Sequence, residues 1–258
     1  MLEAYQTQLR ARDEDIVPDG AWSERDGPLL RTVGRTDRGF VEYRDLGGLE
    51  GAELDELIAR QVAYFAGRGE PFEWKHHGHD LPADLTQRLL AHGFVPEPQE
   101  TVLVARVADV AAEPRVPEGV RLIEVSDDAG LERLDLWERG AWESREVHIS
   151  KLLRRLLEAG PDAMRVIAAE AGGEVLCAAW IRFERGTEFA TLWGGATLPA
   201  WRGRGIYRAV VVYRAQLAAA RGFRYLEVDA SDESRPILER LGFVAITTTT
   251  PYIWSPPS

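Results

Sequence analysis

The sequence predicts an α/β protein with a mixed α+β sheet, built from one arrangement of elements used twice. Three observations predict it. Short strand-like runs alternate with longer segments whose apolar residues recur every three or four positions. Glycines mark the ends of most of these segments. The order strand, glycine loop, helix, Arg-Gly, strand, helix, Gly-Phe, strand runs through 40–107 and returns at 189–254. Arg68-Gly69 matches Arg221-Gly222, and Gly93-Phe94 matches Gly242-Phe243, so the order reads as an internal duplication.

In the first copy, residues 3–10 suit a short helix, and Asp13-Glu14-Asp15 and Pro18-Asp19-Gly20 suit solvated turns. Little else is legible before Phe40. Val41-Glu42-Tyr43 alternates like a strand, and Gly47–Gly51 breaks it. Leu54, Leu57, Ile58, Val62 and Phe65 form one helical stripe, ended by Gly67-Arg68-Gly69. Phe72-Glu73-Trp74 is strand-like; Leu85, Leu89 and Leu90 mark a helix ending at His92-Gly93-Phe94; Thr101–Val107 is a Val-rich strand. This copy is short upstream, so the duplication is expected to be truncated at its N-terminal end.

Ala108–Gly119, with Pro114 and Pro117, reads as the domain boundary. Val120–Val125 opens the second copy as a strand. Leu131–Trp142 and Ile149–Leu157 follow as helices, the latter with Leu152, Leu153, Leu156 and Leu157 on its apolar face. Arg165–Glu170 and Val175–Glu184 form a hairpin through Ala171-Gly172-Gly173. Glu188–Thr197 is the next strand; Gly194 and Gly195 within it allow a bulge and close ligand approach. A helix carries Ile206, Val210, Tyr213 and Leu217 and stops at Gly222. Tyr225–Val228 is a strand. A last helix starts at Asp232 or Ser234 with Pro236 in its first turn, before a strand over Thr248–Trp254.

The chain has 258 residues and a formal net charge of −11, which disfavours nucleic acid as a partner. No run is long and apolar enough to span a membrane, and Met1–Tyr5 lacks a basic segment before an apolar core, so a cytoplasmic protein is expected. The single cysteine, Cys177, excludes an internal disulfide and reads as a small buried hydrophobe.

The most informative stretch is Leu192–Arg208. A strand runs into a loop bearing Pro199, Gly203 and Gly205, and a helix follows at once. Backbone N–H groups at a helix start, with the positive end of its dipole, favour an anion, and Arg202, Arg204 and Arg208 add three cations. The loop reads as a phosphate cradle. It lacks the Lys and hydroxyl of a P-loop. It fits a dinucleotide fingerprint at Gly203 and Gly205, but Arg208 stands at the third glycine position, although Glu227 or Asp229 could serve as the ribose-binding acid.

Thr197-Leu-Pro-Ala-Trp-Arg-Gly-Arg-Gly-Ile206 resembles the pyrophosphate loop of the GNAT superfamily of N-acetyltransferases, whose pattern is Val-x-Pro-x-x-Arg-Gly-x-Gly-Ile. Arg202 and Gly205 fill the first two positions of its Arg/Gln-x-x-Gly-x-Gly/Ala core; Tyr207 replaces the small third residue. The segment ending at Leu241-Gly242-Phe243 is similar to the family's second signature. There Ser231 stands for its Asn, Ser234 for its Ala, Ile237 for its Leu and Leu238 for its Tyr. With the duplication, the chain resembles the tandem proteins of this family.

The resemblance implies a duplicated acyl-CoA N-acyltransferase fold: a degenerate copy over 1–112, a linker at 113–118 and an acetyl-CoA-binding domain over 119–258. The first copy has no arginine in Gly47–Gly51, and Glu50 there repels a pyrophosphate. The implied cofactor is acetyl-CoA, as acetyl donor. Its site residues are Ala196, Thr197 and Leu198, whose backbone would hold the pantetheine arm and polarise the thioester, with Arg202, Gly203, Arg204, Gly205, Ile206, Tyr207, Arg208 and Ser231. Direct transfer to a small-molecule amine needs a base, for which Asp229, Glu184 and Glu188 are candidates. The family's acidic Tyr is replaced by Leu238, leaving Tyr252 or Tyr207 as substitutes. Trp137, Trp142, Trp193 and Trp201 are candidates to line an acceptor pocket, or are ordinary packing residues. The acceptor and the oligomeric state stay open, a homodimer among the states allowed. Two rival readings remain: a catalytically impaired acyl-CoA-binding protein, and a nucleotide-dependent oxidoreductase built on Gly203 and Gly205.

Trp74-Lys-His-His-Gly-His-Asp80 gathers His76, His77, His79 and Asp80, which suggests metal ligands. Neighbouring strand residues point to opposite faces, so a partner-facing or merely structural strand end is the preferred reading and no metal is expected.

Overall fold

The computed structural model describes residues 1–12, 17–142 and 149–257. The turn expected at Asp13-Glu14-Asp15 lies outside them. The elements, in chain order, begin with α1 (Leu2–Gln8), β1 (Trp22–Asp26), β2 (Leu29–Val33), β3 (Gly39–Glu42) and α2 (Gly51–Arg68). Next come β4 (Phe72–His77), α3 (Leu85–Ala91), β5 (Val95–Pro96), β6 (Glu100–Arg106) and α4 (Val107–Val110). They continue with β7 (Arg121–Val125), α5 (Asp128–Ala141), α6 (Ile149–Ala159), β8 (Met164–Ala171), β9 (Glu174–Phe183) and β10 (Phe189–Thr197). The last are α7 (Ile206–Ala220), β11 (Tyr225–Ala230), α8 (Arg235–Glu239) and β12 (Val244–Trp254).

The chain divides into two compact units that do not follow its linear order. One holds Met1–Val102 with Asp229–Asp232 and Ala245–Ser258; the other holds Leu103–Val228 and Glu233–Val244. In the first, the strand order is β1-β2-β3-β4-β12; in the second, the end of β6 lies beside β11, followed by β10-β9-β8-β7. The final strand of each repeat therefore completes the unit of the other. A cut at 113–118 does not describe these units, because β12 lies with the N-terminal half.

The two repeats agree in detail. β3 and β4 are parallel over Gly39–Val41 and Phe72–Trp74; β10 and β11 are parallel over Phe189–Thr191 and Tyr225–Glu227. α2 ends with Gly69 at φ +63 and α7 with Gly222 at φ +79. Glu70 N–H donates back to Phe65 O at 3.1 Å, and Phe223 N–H to Ala218 O at 3.1 Å, the same six-residue cap. Phe94 N–H reaches Leu89 O, and Phe243 N–H reaches Leu238 O, each at 3.1 Å. The short first repeat carries β1 and β2, two strands the sequence left unread.

The first unit has its own apolar core, built on Leu54, Leu57, Ile58 and Phe65 of α2 against Phe72 and Trp74 of β4 and Trp254 of β12. Phe65 stacks on Phe72 at 4.2 Å and fills the space beside Gly39, where a Cβ would stand 2.1 Å from its ring. The histidine segment closes this unit rather than diverging from it. Asp80 accepts from both terminal nitrogens of Arg10, at 2.6 and 3.1 Å, from Tyr43 Oη at 2.6 Å and from His77 N–H at 2.8 Å. Tyr5 Oη meets His77 Nε2 at 2.9 Å, and His79 Nδ1 meets Thr247 Oγ1 at 2.6 Å. These bonds clasp the N-terminal segment to the end of β4.

Burial, followed by the nearby charges of Arg10 and Lys75, holds the His77 imidazole well below its usual range, so it is neutral in the folded protein. An unfolded histidine binds a proton below about pH 6.5. The unfolded state then holds more protons than the native state, and stability present above that pH is lost as pH falls through it. Urea unfolding is expected to show a His77 contribution of about 1.4 kcal/mol lost at pH 5.5 relative to pH 7.5. His77→Gln should flatten the slope by that amount, and an unchanged slope would show that His77 is protonated in the folded state.

Candidate functional site

Parallel pairing of β10 with β11 covers only three residues, yet β10 runs on to Thr197 and β11 to Ala230. Beyond Thr191, the strand paired with β10 among the described residues is β9. That antiparallel register, Gly194 opposite Ala179 and Ala196 opposite Ala178, skips Gly195, which is the expected bulge. Gly194 and Gly195 have φ +66 and +99. A Cβ on Gly194 would stand 2.5 Å from the Trp180 ring, and one on Gly195 2.7 Å from the Tyr207 ring. Both conformation and space require glycine at these two positions.

β10 then enters a single 3-10 turn, Pro199–Trp201, and two left-handed glycines. Gly203 has φ +75, and Gly205, at φ +83, is the N-cap of α7. The first helical bond is Ala209 N–H to Gly205 O at 3.0 Å, so the amides of Ile206, Tyr207 and Arg208 precede the hydrogen-bonded ladder. Arg202, Gly203, Arg204, Gly205 and Arg208 are all exposed around that helix start. Arg202 Nε donates to Thr197 O at 3.1 Å, which ties the loop to the strand it leaves. Arg204 lies over the Trp201 ring at 4.7 Å. Three cations, three helix-start amides and two glycines without side chains thus lie in one short loop, groups of the kind that suit an anion.

Other expected positions are already engaged. Leu198 N–H donates to Leu176 O at 2.8 Å, so of the three backbone sites expected to face a ligand this donor is committed to β9. Ala196 O accepts from Trp137 Nε1 at 3.0 Å. Trp137 is buried and packs edge-on against Trp142 at 4.9 Å, fastening α5 to β10. Trp193 is 39% exposed, and its indole N–H reaches Thr191 Oγ1 at 2.8 Å. Thr191 in turn donates to Glu184 Oε1 at 2.8 Å, and Arg182 Nε lies 3.5 Å from that carboxylate. Glu184 is thus a buried, ion-paired anchor of β9 and β10. Glu188 pairs with Arg224 at 3.0 Å. Cys177 is buried, and burial pushes its thiol up to about 11, which leaves it inert as a nucleophile.

Asp229, Ser231 and Tyr252 fall in the first unit. Asp229 Oδ2 is paired with Lys75 Nζ at 2.5 Å, while Oδ1 is buried with no hydrogen-bond partner among the described residues. Burial pulls Lys75 down, but Asp229 and Glu73 outweigh it and hold the ammonium well above its usual range. Ser231 is exposed; Tyr252 is buried in the first unit's core, opposite Trp74 on β4. Leu238, at the position of the family's Tyr, is fully buried. Tyr207 is pushed up by burial, and its hydroxyl is within reach of the Ser234 side chain. Sequence reasoning missed Arg214. Its signal was a charge four residues after Val210, on the stripe that the structure buries with Ala209, Val211, Ala215 and Ala218.

Among the described residues, no group of three or more His, Cys, Asp or Glu is placed to hold a metal ion, and no helix is long and apolar enough to cross a membrane. A sequence model of the Acetyltransferase (GNAT) family matches residues 121–243. No curated protein matches the chain. Among solved structures, a GCN5-related N-acetyltransferase from Kribbella flavida is similar at a TM-score of 0.68 and 17% identity, over 92% of this chain and 90% of that one. A conserved protein of unknown function from Staphylococcus epidermidis superposes at 0.69 with 13% identity, over 94% and 97% of the two chains. A tandem GNAT protein from the clavulanic acid biosynthesis pathway gives 0.66 with 14% identity, over 100% and 94%. At these identities the structures speak for the fold, and the family match over 121–243 speaks for the domain that carries the cradle. Residues 121–243, which include the Arg202–Arg208 loop, match the Acetyltransferase (GNAT) family, a family of acyl transfer, and the chain as a whole shares the fold of GNAT-related structures.

Proposed function

We propose that this protein is an N-acetyltransferase that moves an acetyl group from acetyl-CoA directly to an amine of a small molecule. The observation that carries the reading is the cradle at Arg202–Arg208, where left-handed glycines, exposed arginines and helix-start amides meet the demands of a pyrophosphate. Bound acetyl-CoA supplies an activated acyl carbon. Arg202, Arg204 and Arg208 neutralise the phosphates, and the amides of Ile206, Tyr207 and Arg208 bond them. The end of the β10–β11 pairing at Thr191 supports the bulged backbone at Gly194–Ala196 as the seat of the acyl arm.

In the transfer the amine nitrogen forms a bond to the acyl carbon, the carbon–sulfur bond breaks, and the thiolate leaves. A base must take the amine's proton; of the candidates the sequence offers, Asp229 keeps one oxygen, Oδ1, with no hydrogen-bond partner among the described residues, while Lys75 holds the other. Glu184 is the weaker candidate, being committed to Arg182 and Thr191. A thiol of ordinary pKa, about 8.5, departs without a strong acid, so Leu238 does not forbid the step. The first repeat is a structural copy: Glu50 stands at the N-cap of α2, Arg88 at that helix start is already engaged by Gly51 O, Asp55 and Asp84, and Phe65 fills the space beside β3. The test is release of free thiol from acetyl-CoA across a panel of amines. Acceleration by at least one amine is expected. Tight acetyl-CoA binding with no release for any amine would favour a non-catalytic acyl-CoA-binding protein, to which the fully buried Leu238 lends support.

A further inference from the structure

α7 packs a charged side chain where its apolar stripe meets the sheet. Arg214 is 1% exposed, yet among the described residues it is paired with no carboxylate. Its Nη1 donates to Trp180 O at 3.0 Å and to Trp193 O at 3.2 Å, and Nε lies 3.4 Å from Val210 O. Those two sheet carbonyls belong to β9 and β10, opposite each other immediately before the bulge. Nη2 faces the bulge itself: a Cβ on Gly195 would stand 3.7 Å from it, alongside the Tyr207 ring. Burial pulls the guanidinium down from its usual range, and Tyr207 and Cys177 offset this only in part. Taking a cation out of water without an anionic partner is expensive, and a methionine of similar length would fill the space without that cost. The charge therefore calls for a role beyond packing.

We propose that Arg214 is a positioning and electrostatic residue of the transfer site. It holds the Gly194–Gly195 bulge open through Nη1 and places a fixed positive charge beside a carbonyl oxygen bound against that bulge. As the amine attacks, negative charge grows on that oxygen, and a preorganised cation in a water-poor setting stabilises it more than it stabilises the ground state. The inference rests on the acetyl-CoA reading above.

Isotope-edited infrared spectroscopy of acetyl-CoA labelled with carbon-13 at the thioester carbonyl tests it without any acceptor. In the wild-type complex the carbonyl band should move to lower wavenumber than in solution. In Arg214→Met and Arg214→Lys the displacement should be lost and reduced, respectively, while binding persists. Amine-dependent turnover should fall roughly 10²–10³-fold in Arg214→Met, the loss typical for a removed oxyanion donor, with little change in the acetyl-CoA KM. Absence of acetyl-CoA binding by wild type would sink the cofactor reading instead. A wild-type band at the solution position, or an equal displacement in the variants, overturns the role of Arg214. If Arg214→Met does not fold by circular dichroism, Arg214→Lys and the wild-type band decide.

Discussion

Replacing Gly205 with glutamate is expected to remove acetyl-CoA binding while leaving the fold in place. Gly205 caps α7 at φ +83, and a side chain there meets nothing within 4 Å among the described residues. The new residue is therefore not excluded by packing; it pays a backbone cost of roughly 1–2 kcal/mol for the left-handed conformation. Its carboxylate stands where helix-start amides and Arg202, Arg204 and Arg208 would receive a pyrophosphate. Two like charges about 4 Å apart at the surface repel by about 4 kcal/mol, and each 1.4 kcal/mol is about tenfold in affinity. A loss beyond about 100-fold is expected by equilibrium dialysis. Gly205→Ala carries the backbone strain without the charge and should lose far less. Equal losses for the two variants would show that loop geometry, not charge, dominates the site.

Asp80→Ala carries the largest expected effect on stability. This carboxylate takes four donors at once: two from Arg10, the Tyr43 hydroxyl and the His77 amide. The Arg10 and Asp80 side chains are each 3% exposed, so alanine leaves a buried guanidinium with no carboxylate paired to it among the described residues. Breaking a buried pair from one side costs about 3–5 kcal/mol, a large share of the 5–15 kcal/mol that holds a typical domain together. Denaturant unfolding should show a loss of that size, and Asp80→Asn, which keeps the shape and part of the hydrogen bonding, a smaller one. A change under about 1 kcal/mol for Asp80→Ala would mean that the clasp is solvated and the N-terminal segment is held by other contacts.

What the sequence disclosed depends on how local the signal was. The glycine-arginine loop at the start of α7 was legible because its residues are contiguous, and the repeat because its helix caps recur at matching glycines. β1 and β2 escaped notice because Trp22–Asp26 is a polar strand with little alternation. Asp26-Gly27, a hairpin dipeptide with Gly27 at φ +60, was the available clue. The exchange of final strands leaves no local trace: β6 and β12 are ordinary strands, and only long-range pairing assigns them. Partners chosen in three dimensions were hidden for the same reason. Nothing near Asp229 announces Lys75, and nothing near Asp80 announces Arg10, which lies 70 positions away. Arg214 was missed because a charge within a helix is by default assigned to the solvated face.

The most direct test of the account is calorimetric titration of the whole chain with acetyl-CoA, with NADH alongside. Saturable binding of one acetyl-CoA per chain and no NADH binding is the predicted result: one working cradle in the second repeat and none in the first. Binding of NADH in place of acetyl-CoA, or binding of neither, would contradict the assignment of the Arg202–Arg208 loop, and two acetyl-CoA per chain would contradict the silence of the first repeat.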